Sequence, residues 1–195
     1  MRLSIGVRAV LVLVLTLVLA ARPPVAHAEE GIGDLRVDAG LVVGLPAALP
    51  TGTSTGVGVG VTHGHTLAWG ARVSWSNATE YTTSWAVTHA DLRLRAIGAF
   101  ERSAGRGSFA LRLGAGGTLV HETRTRNQGM RAGLEGSDLE TSAWTMLPGA
   151  DLELAVALRI AGPWAFVLSG GPSLHLRSSQ IEAGWIGGVG VAWQP

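Results

Sequence analysis

A strict alternation of charged and apolar side chains at residues 89–96 is the feature that most limits the fold of this chain. The segment HADLRLRA places His, Asp, Arg and Arg at the odd positions and Ala or Leu at the even ones. Successive side chains of a β-strand point to opposite sides, so a period of two predicts an extended strand with one charged face and one apolar face. One of these faces must be buried, and the rest of the sequence indicates which.

The same alternation recurs along the chain and predicts eight strands with almost no helix. The predicted strands are 33–45, 55–63, 66–77, 86–100, 108–123, 143–160, 163–177 and 181–193. The connections after strands two, four and six are short, and the last one, around RSSQ, is short as well. Longer connections follow strands one, three and five, namely LPAALPTGTST, SNATEYTTSW and TRTRNQGMRAGLEGSDLETSA. Short turns at one end and longer loops at the other are typical of bacterial outer-membrane barrels.

The first 28 residues predict a secretory signal peptide, which leaves residues 29–195 as one mature barrel domain. Arg2 and Arg8 precede an apolar run at 9–21, and RPPVAHA follows it, so cleavage is expected near Ala28. The run is shorter than the roughly 20 residues that a membrane-spanning helix needs, which argues against a retained anchor.

The two faces of the predicted strands favour a barrel with lipid outside. One face is apolar from the first strand, with Leu35, Val37 and Leu41, to the last, with Val189 and Val191. The opposite face carries glycine, other small residues and ionisable groups. Lysine is absent from the chain, although soluble strand proteins usually protect their edges with it. The predicted fold is therefore an all-β, eight-stranded, antiparallel, up-and-down transmembrane β-barrel.

The charged face is predicted to line the lumen, where acids and arginines are balanced. An unpaired charge in a narrow dry lumen is costly, so the balance predicts a salt-bridged plug. A proton or ion pathway is the alternative, because rings of charge also build pores. The predicted lumen residues are Asp34, Arg36, Asp38, Arg72, His89, Asp91, Arg93, Arg95, Arg112, Glu122, Asp151, Glu153, Arg159, His175, Arg177 and Glu182.

Aromatic residues are predicted to form a girdle at each membrane interface, as is typical of such barrels. Aromatics that fill an ordinary core would not fall into two bands. Trp85 is out of phase with the outward face unless a bulge resets the alternation. The predicted girdles are Trp75, Tyr81, Trp85, Trp144 and Trp185 near the long-loop end, and Trp69, Phe100, Phe109, Trp164 and Trp193 near the short-turn end.

In this pattern the mature chain resembles the small eight-stranded outer-membrane barrels of the outer-membrane protein A and X type. We expect a monomer in the outer membrane of a Gram-negative bacterium, in contact with lipid and lipopolysaccharide. The resemblance implies insertion by the barrel-assembly machinery, which reads a last strand of alternating apolar residues that ends in an aromatic. Val189, Val191 and Trp193 match that signal, but Gln194 and Pro195 follow the aromatic and depart from it.

The longest connection carries charges of both signs and is the predicted surface loop. Its arginines can attract its own acids or meet lipopolysaccharide phosphates, and a solvated mobile loop is the alternative. Its charged residues are Arg124, Arg126, Arg131, Glu135, Asp138 and Glu140.

No cofactor, metal site, catalytic site or nucleic-acid partner is expected. The mature chain is nearly neutral, so it lacks the excess of basic residues that nucleic-acid binding requires. Cysteine is absent, so no thiolate can bind a metal. His63 and His65 lack a nearby carboxylate to complete a metal site. Ser173, His175 and Ser178 fall short of the His-x-Ser pair of barrel lipid A deacylases, because His175 and Ser173 are predicted to point inward.

A secreted soluble barrel of the lipocalin type is the main rival interpretation, with the apolar face inward around a ligand. Such a barrel needs Lys, Glu, Asn and Thr on its outer face, whereas the second face here is mostly Gly, Ala, Ser and charges that balance. The sequence therefore predicts a non-enzymatic membrane barrel with a structural or surface-recognition role.

Overall fold

The computed structural model describes residues 35–45, 53–127 and 139–195, which form one closed β-barrel. Each strand pairs antiparallel with its sequence neighbours, and the first also pairs with the last, so the sheet closes on itself. The predicted fold class is confirmed. The strands are β1 Leu35–Leu45, β2 Ser54–His63, β3 Leu67–Tyr81, β4 Trp85–Ala104, β5 Gly107–Arg126, β6 Glu140–Ala161, β7 Trp164–Arg177 and β8 Gln180–Trp193.

The predicted signal peptide and its cleavage site lie outside the described residues and stay predictions. Within the described part of the chain, no helix has the length and apolar character needed to cross a membrane.

The connections differ between the two ends of the barrel. At the short-turn end, β2–β3, β4–β5 and β6–β7 are joined by 64–66, 105–106 and 162–163. Gly105 and Gly162 have φ of +60° and +51°, a conformation that glycine adopts without steric cost. At the other end, here called the long-loop end, β7 and β8 are joined by Ser178 and Ser179 alone, both with positive φ, as a tight hairpin turn requires.

The predicted long loop SNATEYTTSW is wrong, because most of it is strand. β3 continues to Tyr81 and β4 begins at Trp85, so only 82–84 connect them. The turn is tied down by hydrogen bonds from the backbone N–H and the hydroxyl of Thr82 to Trp85 O, and by the Asn127 amide, which donates to Thr82 O at 2.8 Å. Most residues on both faces of this segment are polar, so the sequence no longer alternates between apolar and polar residues as a half-buried strand does. The backbone pairing of β3 with β4 nevertheless continues.

The large apolar side chains point away from the barrel axis. Trp69, Leu154 and Leu168 are 70%, 54% and 57% exposed, and the buried apolar side chains of the interior are mostly alanine. A soluble monomer rarely exposes a continuous apolar surface of this kind. The outward-pointing apolar side chains come from all eight strands. Each strand has at least the roughly 9–11 residues that a membrane-crossing strand needs. This is the arrangement of a transmembrane β-barrel.

Candidate functional site: the charged lumen

The period of two and the closure of the barrel together collect the charged side chains in the lumen. Even-numbered positions point inward in β1, β2, β3, β5 and β8, and odd-numbered positions point inward in β4, β6 and β7. Arg36, Arg93, Arg95, Arg112 and Glu153 are all buried in a molecule that has its apolar residues outside. The interior is therefore polar, and its charges need partners.

The centre of the lumen contains a closed ring of two acids and two arginines, here called the arginine–carboxylate ring. Arg72 Nη1 donates to Glu153 Oε2 at 2.6 Å, and Arg112 Nη1 donates to Glu153 Oε1 at 3.3 Å. Arg112 Nη2 lies 3.2 Å from Asp38 Oδ1, and Arg72 Nη2 lies 3.5 Å from Asp38 Oδ2. Each carboxylate thus bridges both guanidinium groups.

The ring links β1, β3, β5 and β6 across the barrel axis and carries no net charge. Its side chains are at most 18% exposed. Buried charges are tolerated when each has a partner and further hydrogen bonds, so the four residues depend on one another. In a barrel of eight strands the interior is only about wide enough for side chains, and the ring lies across it. A cavity of about 40 Å³ adjoins Asp38, Arg72 and Glu153.

A second cluster is organised around Arg95, one layer nearer the long-loop end. Arg95 Nε donates to Asp151 Oδ2 at 2.7 Å, and its Nη atoms donate to Gly117 O at 2.7 Å and to Thr118 Oγ1 at 3.0 Å. Ser173 Oγ donates to the other oxygen of Asp151 at 2.6 Å. This guanidinium is therefore held by a charge partner and by neutral acceptors on neighbouring strands.

The remaining lumen pairs lie above and below these two layers. At the short-turn end Arg36 Nη1 donates to Glu101 Oε1 at 2.6 Å. Three pairs lie toward the long-loop end. Arg93 Nη2 lies 3.7 Å from Asp91 Oδ2, and Arg177 Nε lies 3.3 Å from Glu182 Oε1. His89 Nδ1 lies 3.8 Å from Glu122 Oε2. Arg159 has the inward phase but is exposed at the rim of the short-turn end. Asp34 lies outside the described residues.

Glycine gives the charged side chains the room they need. A Cβ atom at Gly60 would lie 2.6 Å from Asp38 Oδ2, and one at Gly149 would lie 3.0 Å from Arg95 Nη2. A side chain at Gly60 would push against the Asp38 carboxylate, and one at Gly149 would also meet Leu174 O at 2.7 Å, so both glycines leave space that the site uses.

The long-loop end of the lumen opens into a cavity of about 300 Å³, here called the upper cavity. Both signs of charge and an indole ring meet in it, an arrangement suited to a polar ligand. The side chains that line it belong to Glu80, Thr82, Trp85, Val87, His89, Glu122, Arg124 and Arg177.

Trp85 lines this cavity and does not belong to the outer girdle, so its predicted place is corrected. The pairing of β4 with β3 and with β5 is continuous from Ala86 onward, and no bulge resets the phase. Trp85 therefore points to the same side as His89, and the guanidinium of Arg126 lies 4.5 Å from its ring centroid.

The other predicted girdle residues point outward. Near the long-loop end Trp144 stacks on His121 with ring centroids 4.2 Å apart, and near the short-turn end Trp69 contacts His63 edge-on at 6.0 Å. The remaining outward aromatics are Trp75, Tyr81 and Trp185 toward the long-loop end and Phe100, Phe109, Trp164 and Trp193 toward the short-turn end.

The predicted surface loop is described only at its two ends. Arg124 is well exposed and donates to Glu122 Oε1 at 2.5 Å, while Arg126 and Glu140 belong to β5 and β6. Arg131, Glu135 and Asp138 lie outside the described residues.

Ser173 and His175 are placed side by side on the inner face of β7. Ser173 is 1% exposed and its hydroxyl is committed to Asp151, while His175 Nε2 lies 3.4 Å from Arg95. Neither side chain reaches the lipid face, where an acyl ester would lie. In the described ranges, no group of three or more His, Asp or Glu side chains is arranged to hold a metal ion.

Glu101 and Thr118 are site residues that the sequence interpretation did not include. Glu101 follows the predicted end of strand four and was expected in the turn. In the structure β4 continues to Ala104, and Glu101 points inward like the other odd-numbered residues of β4. Extending the alternation by one step would have found it. Thr118 is neutral and gave no signal among the charged residues, and Ser173 was expected to point inward but not to donate to Asp151.

Three solved structures are similar to this chain in fold. Neisserial surface protein A has 12% sequence identity and a TM-score of 0.48, covering 86% of this chain and 100% of its own. Ail of Yersinia pestis has 10% identity and a TM-score of 0.46, covering 82% and 97%. The outer-membrane protein OprG of Pseudomonas aeruginosa has 10% identity and a TM-score of 0.48, covering 84% and 96%. No protein-family profile matches the chain, and no curated protein matches it.

Proposed function

We propose that this chain is an integral outer-membrane β-barrel protein with a lumen closed by ion pairs. It acts without catalysis, as a structural element or through recognition at its long-loop end. The observation that carries the proposal is the inverted distribution of residue types, with Leu154 and Leu168 exposed outside and Arg112 and Glu153 buried inside. Lipid is the environment in which this distribution is stable.

The soluble lipocalin-like alternative requires the opposite arrangement. A soluble barrel holds its apolar ligand against inward-facing apolar side chains and presents polar groups to water. Here the centre of the lumen is occupied by the arginine–carboxylate ring, and the apolar side chains of β6 and β7 point outward. An apolar ligand would therefore meet charges instead of a complementary surface.

Recognition at the long-loop end is supported by the chemistry of the upper cavity. Its charged groups and Trp85 give it hydrogen-bond partners and an aromatic surface, and Arg124 at its rim is well exposed. The proposed partners at this end include lipopolysaccharide, whose phosphates suit an exposed arginine. The proposed partner during insertion is the barrel-assembly machinery, and the proposed state in the membrane is a monomer.

The first test of this proposal is the location and gel behaviour of the mature chain. We expect it to fractionate with the outer membrane and to migrate at different positions before and after boiling, because a closed barrel stays folded in detergent until heated. Cell fractionation followed by electrophoresis measures both properties. A soluble periplasmic protein whose mobility does not change on boiling would contradict the proposal.

The second test is electrical conductance, because a lumen lined with charged residues is also the arrangement of an ion pathway. We expect folded protein in a planar bilayer to show no steady current, because the ring fills a lumen that has little spare width. Protein that passes the gel test before reconstitution provides the control for folding. Stable single-channel currents with an ion selectivity that changes in Arg72→Ala would favour the ion-pathway alternative.

A further inference from the structure

A second cavity, here called the lower cavity, lies at the short-turn end and is separate from the charged layers described above. Its volume is about 70 Å³, enough for several water molecules or one small tetrahedral anion. The polar side chains that line it are those of Arg36, Ser103, Arg106, Ser108, Arg159 and Gln194.

Arg36 forms the inner wall of the lower cavity and has an unused donor. The residue is 5% exposed, and its Nη1 is committed to Glu101 at 2.6 Å. The same carboxylate oxygen accepts a hydrogen bond from Ser108 Oγ at 2.8 Å. Arg36 Nε is buried and has no hydrogen-bond partner. A buried donor without an acceptor is costly, so the present partners of Arg36 leave part of its hydrogen-bonding capacity unsatisfied.

The two outer arginines are brought together by the end of the β5–β6 ladder. The backbone N–H of Arg159 donates to Arg106 O at 2.8 Å, and Arg106 Nη2 donates to Ile160 O at 3.3 Å. The register shift between Arg159 and Ala161 in the β6–β7 pairing lies at the same place. Arg106 in the β4–β5 turn and Arg159 near the end of β6 therefore line one cavity although they are far apart in the chain.

The charge of the lower cavity is unbalanced among its described lining residues. Three arginines line it and no acid does, and the nearby Glu101 is already paired with Arg36. Deeper in the lumen Arg72, Arg93, Arg95, Arg112 and Arg177 each have a carboxylate within ion-pair distance, so this end differs from the layers above it. Clustered guanidinium groups with hydroxyl and amide donors are suited to an oxyanion, which accepts several charge-assisted hydrogen bonds.

We propose that the lower cavity is a binding site for a phosphate-type oxyanion, held by Arg36, Arg106 and Arg159. Two sources share this chemistry, a soluble phosphate compound and the phosphate headgroup of a lipid at the adjacent membrane interface. The inference goes beyond the proposed function, because anion binding at this end requires neither a closed lumen nor recognition at the long-loop end.

The test uses the folded barrel in a phosphate-free detergent and follows the Arg36 Nε–H resonance by NMR during titration with inorganic phosphate. We expect a saturable shift that sodium chloride at matched ionic strength does not reproduce. Arg159→Gln is expected to weaken phosphate binding by about tenfold, the effect of losing one charge-assisted contact. Arg102→Gln is the matched control, because Arg102 is exposed at the same end and lies over Phe100 instead of the cavity.

The outcomes separate the site from nonspecific attraction to a basic rim. A linear response without saturation, or equal weakening in Arg102→Gln and Arg159→Gln, would overturn the proposal. The same titration in nanodiscs identifies the source. A resonance already shifted in phosphatidylglycerol, but not in phosphatidylcholine, assigns the site to a lipid headgroup, whereas a full response to phosphate in both assigns it to a soluble anion.

Discussion

Glu153→Gln is expected to lower the free energy of unfolding by about 3 to 5 kcal/mol, the usual cost of removing one partner from a buried ion pair. Glu153 receives hydrogen bonds from Arg72 and Arg112, and the variant leaves these two cations to share Asp38. Water that enters the lumen will reduce the cost. Urea unfolding from lipid vesicles, followed by tryptophan fluorescence, measures the change.

Two further variants show whether the loss comes from charge imbalance. The double variant Glu153→Gln with Arg112→Met removes one acid and one arginine, leaves Asp38 paired with Arg72, and should recover much of the loss. Glu122→Gln is the comparison variant: Glu122 is 21% exposed, but its hydrogen-bonded partner Arg124 is 58% exposed, so the variant should cost at most about 1 kcal/mol. If Glu153→Gln is no more costly than Glu122→Gln, the lumen is hydrated and the ring is not a plug.

Leu154→Arg is expected to cost about 2 to 4 kcal/mol of stability in a bilayer, because it places a charge on the lipid face near the midplane. Leu154 points outward from β6, between the levels of Trp144 and Trp164. In detergent micelles, where the charge reaches water more easily, the loss should be smaller. Folding yield and unfolding free energy in vesicles measure the effect.

Depth along the same strand provides the matched control. Leu158 has the same outward direction as Leu154 and a similar exposure, but lies opposite Gly107 beside the short turn. Leu158→Arg should therefore cost only about 0 to 1 kcal/mol, as expected near an interface. Ser169→Ala, an inward change of small volume, should be tolerated. Equal losses at Leu154 and Leu158, or a larger loss at Ser169, would show that the assigned membrane face is wrong.

The alternation in the sequence was sufficient to predict the strands and their faces where one face meets lipid. Within the bilayer every second residue is apolar, so the direction of Arg93, Arg95 and Leu154 follows from their positions alone. Beyond the bilayer both faces meet water, and the signal disappears. This is why the strand residues of the segment 78–85 were assigned to a loop, and why the inward direction of Trp85 became evident only from the continuous pairing of β4.

The identity of each ion pair was beyond the reach of the sequence. Balanced acids and arginines predicted pairing in the lumen, but not that Asp38 and Glu153 would both bridge Arg72 and Arg112. These residues lie on four strands, and their contact depends on the stagger with which β1 meets β8 when the barrel closes. The lower cavity is a similar case, because it depends on hydrogen bonds between the β4–β5 turn and the end of β6, which are far apart in the chain.

By itself, the sequence determined the fold class, the number of strands and the side of the sheet on which the charges of the predicted strands lie, because these depend on local periodicity and composition. Only the tertiary structure decided which charges meet, which arginines remain without an acid, and where space is left. The physical reason is that ion pairs and cavities depend on distances between strands, and closure of the barrel sets these distances.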